Sequence, residues 1–304
     1  MITVLLSTYN GEKYLSEQLE SLLNQSFSDF LILIRDDCSK DETMRLVNEY
    51  KKNYPEKIKI LNNKNENLQS TNSFLELLKH ADSELYCFCD QDDFWEKDKL
   101  RLLFEFYKNN CDENKPTLVH TYADVVDERL KLLEKQTLMF NRNKYGMERN
   151  FVWQVFQNDV TGCTMMINNK MKKLICNLNF KNENIIQHDW FFAQIAHLYN
   201  SKFLIPCSTI KYRQHHNNVI GYKKTSILKR ISAKFRKRPS YPYYDQITAV
   251  LKVCDSIDPK LIQILTEFSG LKKQSKYKRI VWHVKNRFLR DENIFYKLYQ
   301  LFIC

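Results

Sequence analysis

Residues 87–95 read Cys-Phe-Cys-Asp-Gln-Asp-Asp-Phe-Trp, and they place three carboxylates, Asp90, Asp92 and Asp93, directly after the apolar run Leu85–Cys89. An apolar strand that ends in carboxylates is typical of the ligand-binding edge of an open α/β sheet. Because like charges this close repel one another, the cluster either binds a divalent cation or lies on a solvated turn. In the second case the carboxylates would only cap and charge the helix that follows.

A second acidic pair, Asp36-Asp37, closes another apolar run at residues 30–34. Short β-rich runs alternate with amphipathic helical stretches, the first of which repeats leucines from Leu15 to Leu23. This alternation predicts an α/β fold with a mixed, mainly parallel sheet flanked by helices. The expected strands cover residues 2–7, 30–34, 58–61, 85–89, 117–126, 163–167 and 203–212, with later helices at about 95–108 and 189–199.

Composition favours a globular enzyme, since 43% of the 304 residues are hydrophobic and 27% are charged. The nine cysteines include no Cys-x-x-Cys pair, and the N-terminus runs straight into a strand without a signal sequence, so we expect reduced thiols, a cytoplasmic location and no zinc. No apolar run approaches the roughly 20 residues of a membrane-spanning helix.

The positive charge is concentrated at the C-terminal end of the chain. Residues 222–304 contain 19 Lys and Arg against 6 Asp and Glu, a net of +13 within a total of +11. Between residues 223 and 238 the basic residues interleave with apolar ones at helical spacing, which is typical of a helix on an anionic membrane surface. The alternative is a solvated helix whose apolar stripe packs on the main domain. No nucleic-acid-binding motif accompanies the charge, so we expect no nucleic-acid partner.

Phosphate-binding signatures are absent from the sequence. It contains neither Gly-x-Gly-x-x-Gly nor a P-loop, which argues against the common dinucleotide oxidoreductases and P-loop phosphotransferases. The turn Ser7-Thr-Tyr-Asn-Gly11 follows the first strand, where an aromatic ring and backbone N–H groups at a helix N-terminus can hold a nucleotide.

Taken together, six motifs in this order resemble those of family 2 glycosyltransferases, which have the GT-A fold. The resemblance covers about residues 1–221 and is most similar to bacterial rhamnosyltransferase-like members that build surface polysaccharides. The motifs are Ser7-Thr-Tyr-Asn-Gly11, Asp36-Asp-Cys-Ser-Lys-Asp41, Asp90-Gln-Asp-Asp-Phe-Trp95, Thr161-Gly-Cys-Thr-Met165, His188-Asp-Trp190 and Tyr212-Arg-Gln-His215.

The resemblance implies a donor pocket at the carboxyl ends of the first strands. Thr8, Tyr9 and Asn10 would line the nucleotide pocket, Asp37 would read the pyrimidine base, and Asp90 would lie near the donor ribose. Two further residues would contact the diphosphate or its cation: Arg213 would hold phosphate oxygens, unless it forms a surface ion pair, and His215 would approach the cation, with His216 as the alternative register.

By the same resemblance, Asp92 binds Mg²⁺ or Mn²⁺, and the cation neutralises the charge that develops on the departing diphosphate. The acceptor hydroxyl must lose its proton during attack, and Asp189 occupies the position of the family's catalytic base. Taken alone, Asp189 would be read as an ordinary helix N-cap. His188 is expected to support the site.

Two positions depart from the family pattern, because Cys38 and Gln69 stand where the family usually has glycine. Glycine adopts positive φ without steric cost, and a residue with a Cβ does not. These replacements affect the expected geometry of the donor pocket and leave every proposed charged residue in place.

The sequence therefore predicts an inverting, metal-dependent glycosyltransferase, which moves rhamnose from dTDP-rhamnose to a hydroxyl of a surface polysaccharide or a lipid-linked glycan. The alternatives are a UDP-hexose donor, a metal-dependent phosphohydrolase or nucleotidyltransferase, and a glycan-binding scaffold without activity. Residues 1–110 would form the nucleotide-sugar half, residues 111–221 the acceptor half, and residues 222–304 a basic helical region on the inner face of the membrane.

Overall fold

The computed structural model describes residues 1–62, 66–137, 151–176, 178, 184–215, 242–254, 257–286 and 288. In this part of the chain nine strands form one sheet. They are β1 (Ile2–Thr8), β2 (Phe30–Asp36), β3 (Ile58–Ile60), β4 (Leu85–Asp90), β5 (Phe94–Trp95), β6 (Leu118–Val126), β7 (Leu132–Thr137), β8 (Met165–Asn168) and β9 (Lys202–Arg213).

The helices of the described residues connect and cover these strands. They are α1 (Leu15–Leu23), α2 (Thr43–Asn53), α3 (Gln69–His80), α4 (Lys99–Asn110), α5 (Phe151–Phe156), α6 (Asn169–Ile175), α7 (His188–Leu198), α8 (Pro242–Val253), α9 (Pro259–Gly270) and α10 (Lys276–Lys285). Short 3₁₀ turns cover Gly162–Thr164 and Leu271–Lys273.

The strand order is β3-β2-β1-β4-β8-β6-β9-β5, with β7 paired to β6. The pairs among β1 to β4 are parallel, β6 and β9 are also parallel, and the remaining pairs are antiparallel, which confirms the mixed sheet predicted from the sequence. Thr8 lies opposite Asp36, and Ser7 lies opposite Asp90. The carboxyl ends of β1, β2 and β4 therefore meet at one edge, as the acidic motifs predicted.

Hydrophobic side chains cover the sheet on both faces. One cluster includes Leu19 of α1, Val47 of α2 and Leu103 of α4, which pack on apolar side chains of the strands. The other includes Phe74 of α3 and Phe191 of α7. The parallel strands are thus covered by helices on both faces, as the near-continuous apolar runs of β1, β2 and β4 require.

The helices of the C-terminal region belong to the second of these clusters. Ile247 of α8 and Phe268 of α9 are fully buried in the same cluster as Phe191 of α7. The described part of residues 222–304 is therefore packed on the sheet domain. The basic run at 223–238, for which the sequence left two interpretations, lies outside the described residues.

The structure also shows the length of the helices and the state of the cysteines. Among the described residues, no helix combines the length and the apolar character that crossing a bilayer demands. The eight cysteines in the described ranges are all free thiols, and four of them, Cys87, Cys89, Cys163 and Cys254, are buried.

Candidate active site

Three residues of the first loops adopt left-handed backbone conformations. Asn10 has φ 47°, Cys38 has φ 70° and Gln69 has φ 62°. Cys38 and Gln69 are the two positions at which the family usually has glycine, so the backbone there keeps the conformation that glycine would favour. The fold therefore accommodates a side chain at both turns at some conformational cost.

We expect Gln69→Gly to raise the free energy of unfolding by about 0.5–1 kcal/mol, because glycine relieves the steric cost of positive φ. The Gln69 side chain is exposed, and its backbone N–H keeps its bond to Asp37 in the variant. Asn72→Gly, at an exposed helical position of α3, is the matched control and should lower stability. Denaturant unfolding measures both, and a loss of stability in Gln69→Gly would contradict the strain assigned to this turn.

The end of β1 is joined to the end of β2 by buried hydrogen bonds. The Thr8 hydroxyl donates to Asp36 Oδ1 over 2.8 Å, and the Ser39 hydroxyl donates to the same oxygen. The backbone N–H of Asp37 donates to the Thr8 carbonyl over 2.8 Å. Thr8 is 1% exposed, so its hydroxyl supports the ends of β1 and β2 from inside the fold.

Asp37 links β2 to the N-terminus of α3. Its Oδ1 accepts from Arg35 over 2.6 Å and from the Leu68 N–H over 2.7 Å, and its Oδ2 accepts from the Gln69 N–H over 2.8 Å. Both residues of the Arg35–Asp37 ion pair are buried. The structure thus places Asp37 at the expected edge, with its carboxylate bonded to protein donors, a favourable position for an anion at a helix N-terminus.

The turn after β1 is held against the acidic turn by Gln91. Gln91 Oε1 accepts from the Tyr9 N–H over 2.8 Å, and Gln91 Nε2 donates to the Tyr9 carbonyl over 2.9 Å. A Cβ on Gly11 would lie 2.1 Å from Gln91 Oε1, so glycine allows the amide to lie over the turn. The Tyr9 ring remains 48% exposed beside this bridge, and the Asn10 side chain accepts from the Lys40 N–H.

The structure brings Asp92 and His215 together across 123 residues of sequence. His215 Nε2 and Asp92 Oδ2 are 2.7 Å apart, and the His215 ring lies 4.9 Å from the Tyr14 ring. The Asp92 side chain is 18% exposed and that of His215 is 6% exposed. The two residues predicted to bind the cation are therefore neighbours, while His216 lies outside the described residues.

Arg213 is buried under this pair. Its Nε donates to the Asp92 carbonyl over 2.8 Å, its Nη1 donates to the Glu128 carbonyl over 2.6 Å, and its Nη2 bonds to the Glu17 carboxylate. The backbone N–H of Arg213 donates to Asp93 Oδ1 over 3.1 Å. Every guanidinium nitrogen has a protein acceptor, so in the structure Arg213 links β9 to the acidic turn.

Below the acidic turn, a buried lysine lies among carboxylates and thiols. Lys99 Nζ bonds to the Cys163 carbonyl and lies 3.5 Å from the centre of the Trp95 ring. Burial lowers the pKa of Lys99 to about 8, against the opposing effect of neighbouring groups that include Asp93. The pKa of Asp90 is raised to about 7, first by burial and then by the charges of Asp92 and Asp189. The charge of Lys99 opposes this rise.

A group of possible metal ligands forms where the acidic turn meets the 3₁₀ turn at residues 162–164. One ligand atom each from Asp90, Asp93 and Cys163 lies within 4.8 Å of the others. Burial raises the pKa of the Cys163 thiol well above its usual value, and only the thiolate binds metals well. With the Lys99 ammonium also nearby, this group is a poorer cation site than Asp92 and His215.

Asp189 lies at the start of α7, with its carboxylate turned toward the 3₁₀ turn at residues 162–164. Oδ2 accepts from the Gly162 N–H over 3.0 Å, and Oδ1 accepts from the Trp190 N–H over 2.6 Å. Burial raises the pKa of Asp189 to about 7, although these backbone hydrogen bonds oppose the shift. Gly162 precedes Cys163, whose thiol lies within 4.8 Å of a carboxylate oxygen of Asp90, so the expected base lies beside the acidic turn.

His188 supports this region through aromatic packing. Its ring lies 4.6 Å from that of Phe74, 5.2 Å from that of Phe88 and 6.2 Å from that of Phe192. Burial lowers the pKa of His188 to about 3, so the ring is neutral at physiological pH. A neutral ring packed among three phenylalanines fits the supporting role expected from the sequence.

We expect Gly162→Ala to lower kcat by at least about tenfold, because it disturbs the hydrogen bond to Asp189. The added Cβ would lie 2.9 Å from His188 Nε2 and 3.8 Å from Asp189 Oδ2, and the surrounding phenylalanines leave the ring little room to move. Gly270→Ala is the matched control, since a Cβ there meets nothing within 4 Å. Unchanged turnover in Gly162→Ala, measured by steady-state kinetics, would contradict this account.

Asp92 and His215 fit a divalent cation. Adjacent ligands of an octahedral ion with bonds near 2.1 Å lie about 3 Å apart, close to the 2.7 Å that separates Asp92 Oδ2 from His215 Nε2. A carboxylate with an imidazole suits Mn²⁺ better than Mg²⁺, which prefers oxygen ligands.

A family model and a known protein each match more than half of this chain. The family model described as Glycosyl transferase family 2 matches residues 3–175. The dTDP-rhamnosyl transferase RfbG of Shigella flexneri is 32% identical over 227 residues, which are 71% of this chain and 73% of that protein.

Two solved structures share the fold at low identity. The crystal structure of S. aureus TarS 1-349 in complex with UDP-GlcNAc has a TM-score of 0.56 at 17% identity, covering 92% of this chain and 78% of that one. The mannosyltransferase PcManGT from Pyrobaculum calidifontis, in complex with GDP-Man and Mn²⁺, has a TM-score of 0.53 at 14% identity, covering 93% and 73%.

Proposed function

Because the chain belongs to glycosyl transferase family 2 and is a glycosyltransferase with the GT-A fold, we propose that it performs an inverting, metal-dependent sugar transfer. The donor is dTDP-rhamnose, and the acceptor is a hydroxyl of a surface-polysaccharide or lipid-linked glycan. One observation carries this proposal: a buried carboxylate with a raised pKa, Asp189, lies beside the acidic turn that holds Asp92 against His215.

Asp189 is proposed as the general base. A pKa of about 7 lets the carboxylate be ionised at physiological pH and still be basic enough to take a proton from an attacking hydroxyl. As the acceptor oxygen bonds to the anomeric carbon, the bond from that carbon to the diphosphate breaks, and the hydroxyl proton passes to Asp189. The Gly162 and Trp190 N–H groups fix the carboxylate for this task.

Asp92 and His215 are the proposed ligands of Mn²⁺ or Mg²⁺. When bound, the cation supplies Lewis-acid stabilisation of the charge on the leaving diphosphate. Arg213 is also proposed as a positioning residue, because it ties the end of β9, two residues before His215, to the acidic turn through the Asp92 carbonyl. Lys99 is proposed to stabilise the charged carboxylates of the acidic turn from beneath with its buried ammonium group.

The donor nucleotide is proposed to bind where β1, β2 and β4 end. The exposed Tyr9 ring offers a face to the base, and Asn10 and Thr8 shape the same turn. Asp90 is proposed to contact the ribose. Asp37 is proposed to read the base at this edge of the sheet. Its carboxylate is already held in place by hydrogen bonds from Arg35 and from the backbone N–H of Leu68 at the N-terminus of α3.

The choice of dTDP-rhamnose is supported by the name of the RfbG relative and by the rhamnosyltransferase-like motifs. The acceptor and the site of action are proposed on chemical grounds. A lipid-linked acceptor would lie at the cytoplasmic face of the membrane, where anionic lipids attract basic segments, and the C-terminal region carries a net charge of +13.

A panel of nucleotide sugars tests the donor and the reaction together. The full chain is incubated with dTDP-rhamnose, UDP-glucose, UDP-GlcNAc or GDP-mannose, each with Mn²⁺, with Mg²⁺ or with a chelator, and the slow hydrolysis of each donor is followed. The proposal predicts release of dTDP from dTDP-rhamnose in the presence of a cation. A response to a UDP-sugar alone identifies the alternative donor class. Release of phosphate or pyrophosphate as the first product would overturn the transferase chemistry in favour of a hydrolase or nucleotidyltransferase.

A further inference from the structure

Helix α10 turns two polar side chains and Trp282 toward the core, and it exposes three apolar side chains on its opposite face. Arg279 and His283 face inward, where Arg279 donates to the Gln274 carbonyl over 2.9 Å and His283 Nδ1 lies 2.9 Å from the Phe288 carbonyl. Tyr277 is 76% exposed, Val281 44% and Val284 54%. A helix packed on a protein core normally shows the opposite pattern, with its apolar stripe inward.

The exposed apolar residues form one continuous stripe. Positions 277, 281 and 284 follow the i, i+4, i+7 spacing of a single helix face. The inward polar residues are held by their own hydrogen bonds, and Trp282 Nε1 donates to Glu267 of α9 over 2.9 Å. The rotation of α10 that presents the stripe outward is therefore fixed by specific contacts with the rest of the domain.

Positive charge surrounds this stripe. Residues 272–285 contain six Lys and Arg and no acidic residue; of these, Arg279 is buried and Lys272 forms an ion pair with Asp245, which leaves four exposed lysines, among them Lys276, Lys278 and Lys285 on α10. Lys278 and Lys285 are exposed on α10, one turn or less from the apolar side chains, and Lys276 is exposed at its start. The surface of α10 thus combines an aromatic ring, two valines and flanking ammonium groups.

We infer that the outward face of α10 docks on an anionic lipid bilayer. Each part of this surface matches a layer of the bilayer. The tyrosine would lie at the membrane–water interface, the valines would enter the boundary between headgroups and acyl chains, and the lysines would reach the anionic headgroups. A second copy of the chain is a poorer occupant, because a two-fold contact through this face would bring the same lysines together. The inference gives the proposed lipid-linked acceptor a docking element, and it rests on the proposed function only in that respect.

Co-sedimentation with vesicles tests this contact on the full chain. Vesicles of phosphatidylglycerol and phosphatidylcholine in equal parts are compared with pure phosphatidylcholine, for the wild type, for Tyr277→Ser/Val281→Ser/Val284→Ser and for Lys278→Glu/Lys285→Glu. We expect binding to the anionic vesicles, and a partition coefficient at least about tenfold lower in each variant. Point substitutions are preferred to deletion of 222–304, because α8 and α9 pack in the core.

The matched control is Leu132→Ser/Leu133→Ser, which removes two exposed apolar side chains, 50% and 57% exposed, from β7. This control should bind vesicles as the wild type does. The inference is overturned if the wild type does not bind anionic vesicles, if both α10 variants bind unchanged, or if the serine variant instead dissolves an oligomer seen by sedimentation velocity. Donor hydrolysis by the α10 variants should be unchanged, so a failure of docking is distinguishable from a failure of the transferase proposal.

Discussion

Asp189→Asn is expected to lower kcat by about 10²- to 10⁴-fold, the contribution of a positioned general base. Asparagine has nearly the same shape, and its carbonyl oxygen can still accept one of the two backbone hydrogen bonds from Gly162 and Trp190. It cannot take the proton of the acceptor hydroxyl. Donor affinity, measured by calorimetry, should therefore change little while turnover falls.

The alternative role for Asp189 is structural: its carboxylate would only stabilise the start of helix α7. Asp258→Asn is the matched control for that role, because Asp258 caps α9 by accepting the Lys260 N–H over 2.9 Å. Asp258→Asn should lower the free energy of unfolding by about 1 kcal/mol or less, and Asp189→Asn should lower it by no more than that, because burial disfavours the charged carboxylate of Asp189. If both also lower kcat to the same small extent, Asp189 is a cap and another residue is the base.

The pH dependence of the reaction follows from the same residue. The base acts as its anion, so kcat/KM should rise with pH, with a slope of one, and level off above about 7, where burial has placed the pKa of Asp189. Without the burial effect the limb would lie near pH 4. Asp189→Asn should remove this limb from the residual activity. A limb that persists in the variant would assign the titration to another group, of which Asp90, whose pKa is also raised to about 7, is the first candidate.

Asp92→Asn is expected to lower kcat/KM by at least about 10²-fold and to raise the Mn²⁺ concentration needed for half-maximal activity. The substitution removes the charged member of the Asp92–His215 pair, so the pair should bind the cation more weakly. His215→Asn should shift the Mn²⁺ requirement in the same direction. If both residues bind one ion, the double variant should lose less than the sum of the two single losses in free energy.

Glu96→Gln is the control for the general effect of removing negative charge from this turn. Glu96 follows the acidic motif, is partly exposed and lies 3.5 Å from Lys211. Its loss should leave the Mn²⁺ requirement unchanged. An equal shift in Glu96→Gln and Asp92→Asn would show that the turn attracts the cation only through its overall charge.

Much of the fold could be predicted from local patterns. The apolar runs of β1, β2 and β4 and the leucine spacing of α1 correctly indicated parallel strands covered by helices. Strand β5 was missed because two residues, Phe94 and Trp95, are too few for any periodicity. Strand β7 was missed because its two leucines are exposed and adjacent and so lack the alternation of a half-buried strand.

The site could be predicted only in part. The motif resemblance proposed Asp92, His215 and Asp189 as site residues, but their proximity depends on the pairing of β6 with β9 and of β4 with β8, which no local pattern encodes. Gln91 was missed because a single polar residue inside an acidic motif carries no signal of its own. Lys99 was missed because a lysine in a helix is normally exposed, and its burial against Trp95 depends on the tertiary fold.

The contacts of Arg213 could not be predicted from the sequence. An arginine beside a predicted diphosphate site is a reasonable phosphate ligand by chemistry alone. Its burial at 2% exposure and its acceptors on Asp92, Glu128 and Glu17 are products of the tertiary structure. The sequence indicated the type of residue at the site, and its role depended on which acceptors the fold brought within reach.

The central claim is that Asp92 and His215 hold a cation on one side of a donor pocket whose other side carries Asp189. The most direct measurement is a crystal structure with Mn²⁺ and dTDP-rhamnose, in which anomalous scattering locates the ion. The account predicts an anomalous peak bonded to Asp92 and His215, with the anomeric carbon facing Asp189 across room for one hydroxyl. An anomalous peak away from both residues, or a sugar whose anomeric carbon is walled off from Asp189, would contradict it.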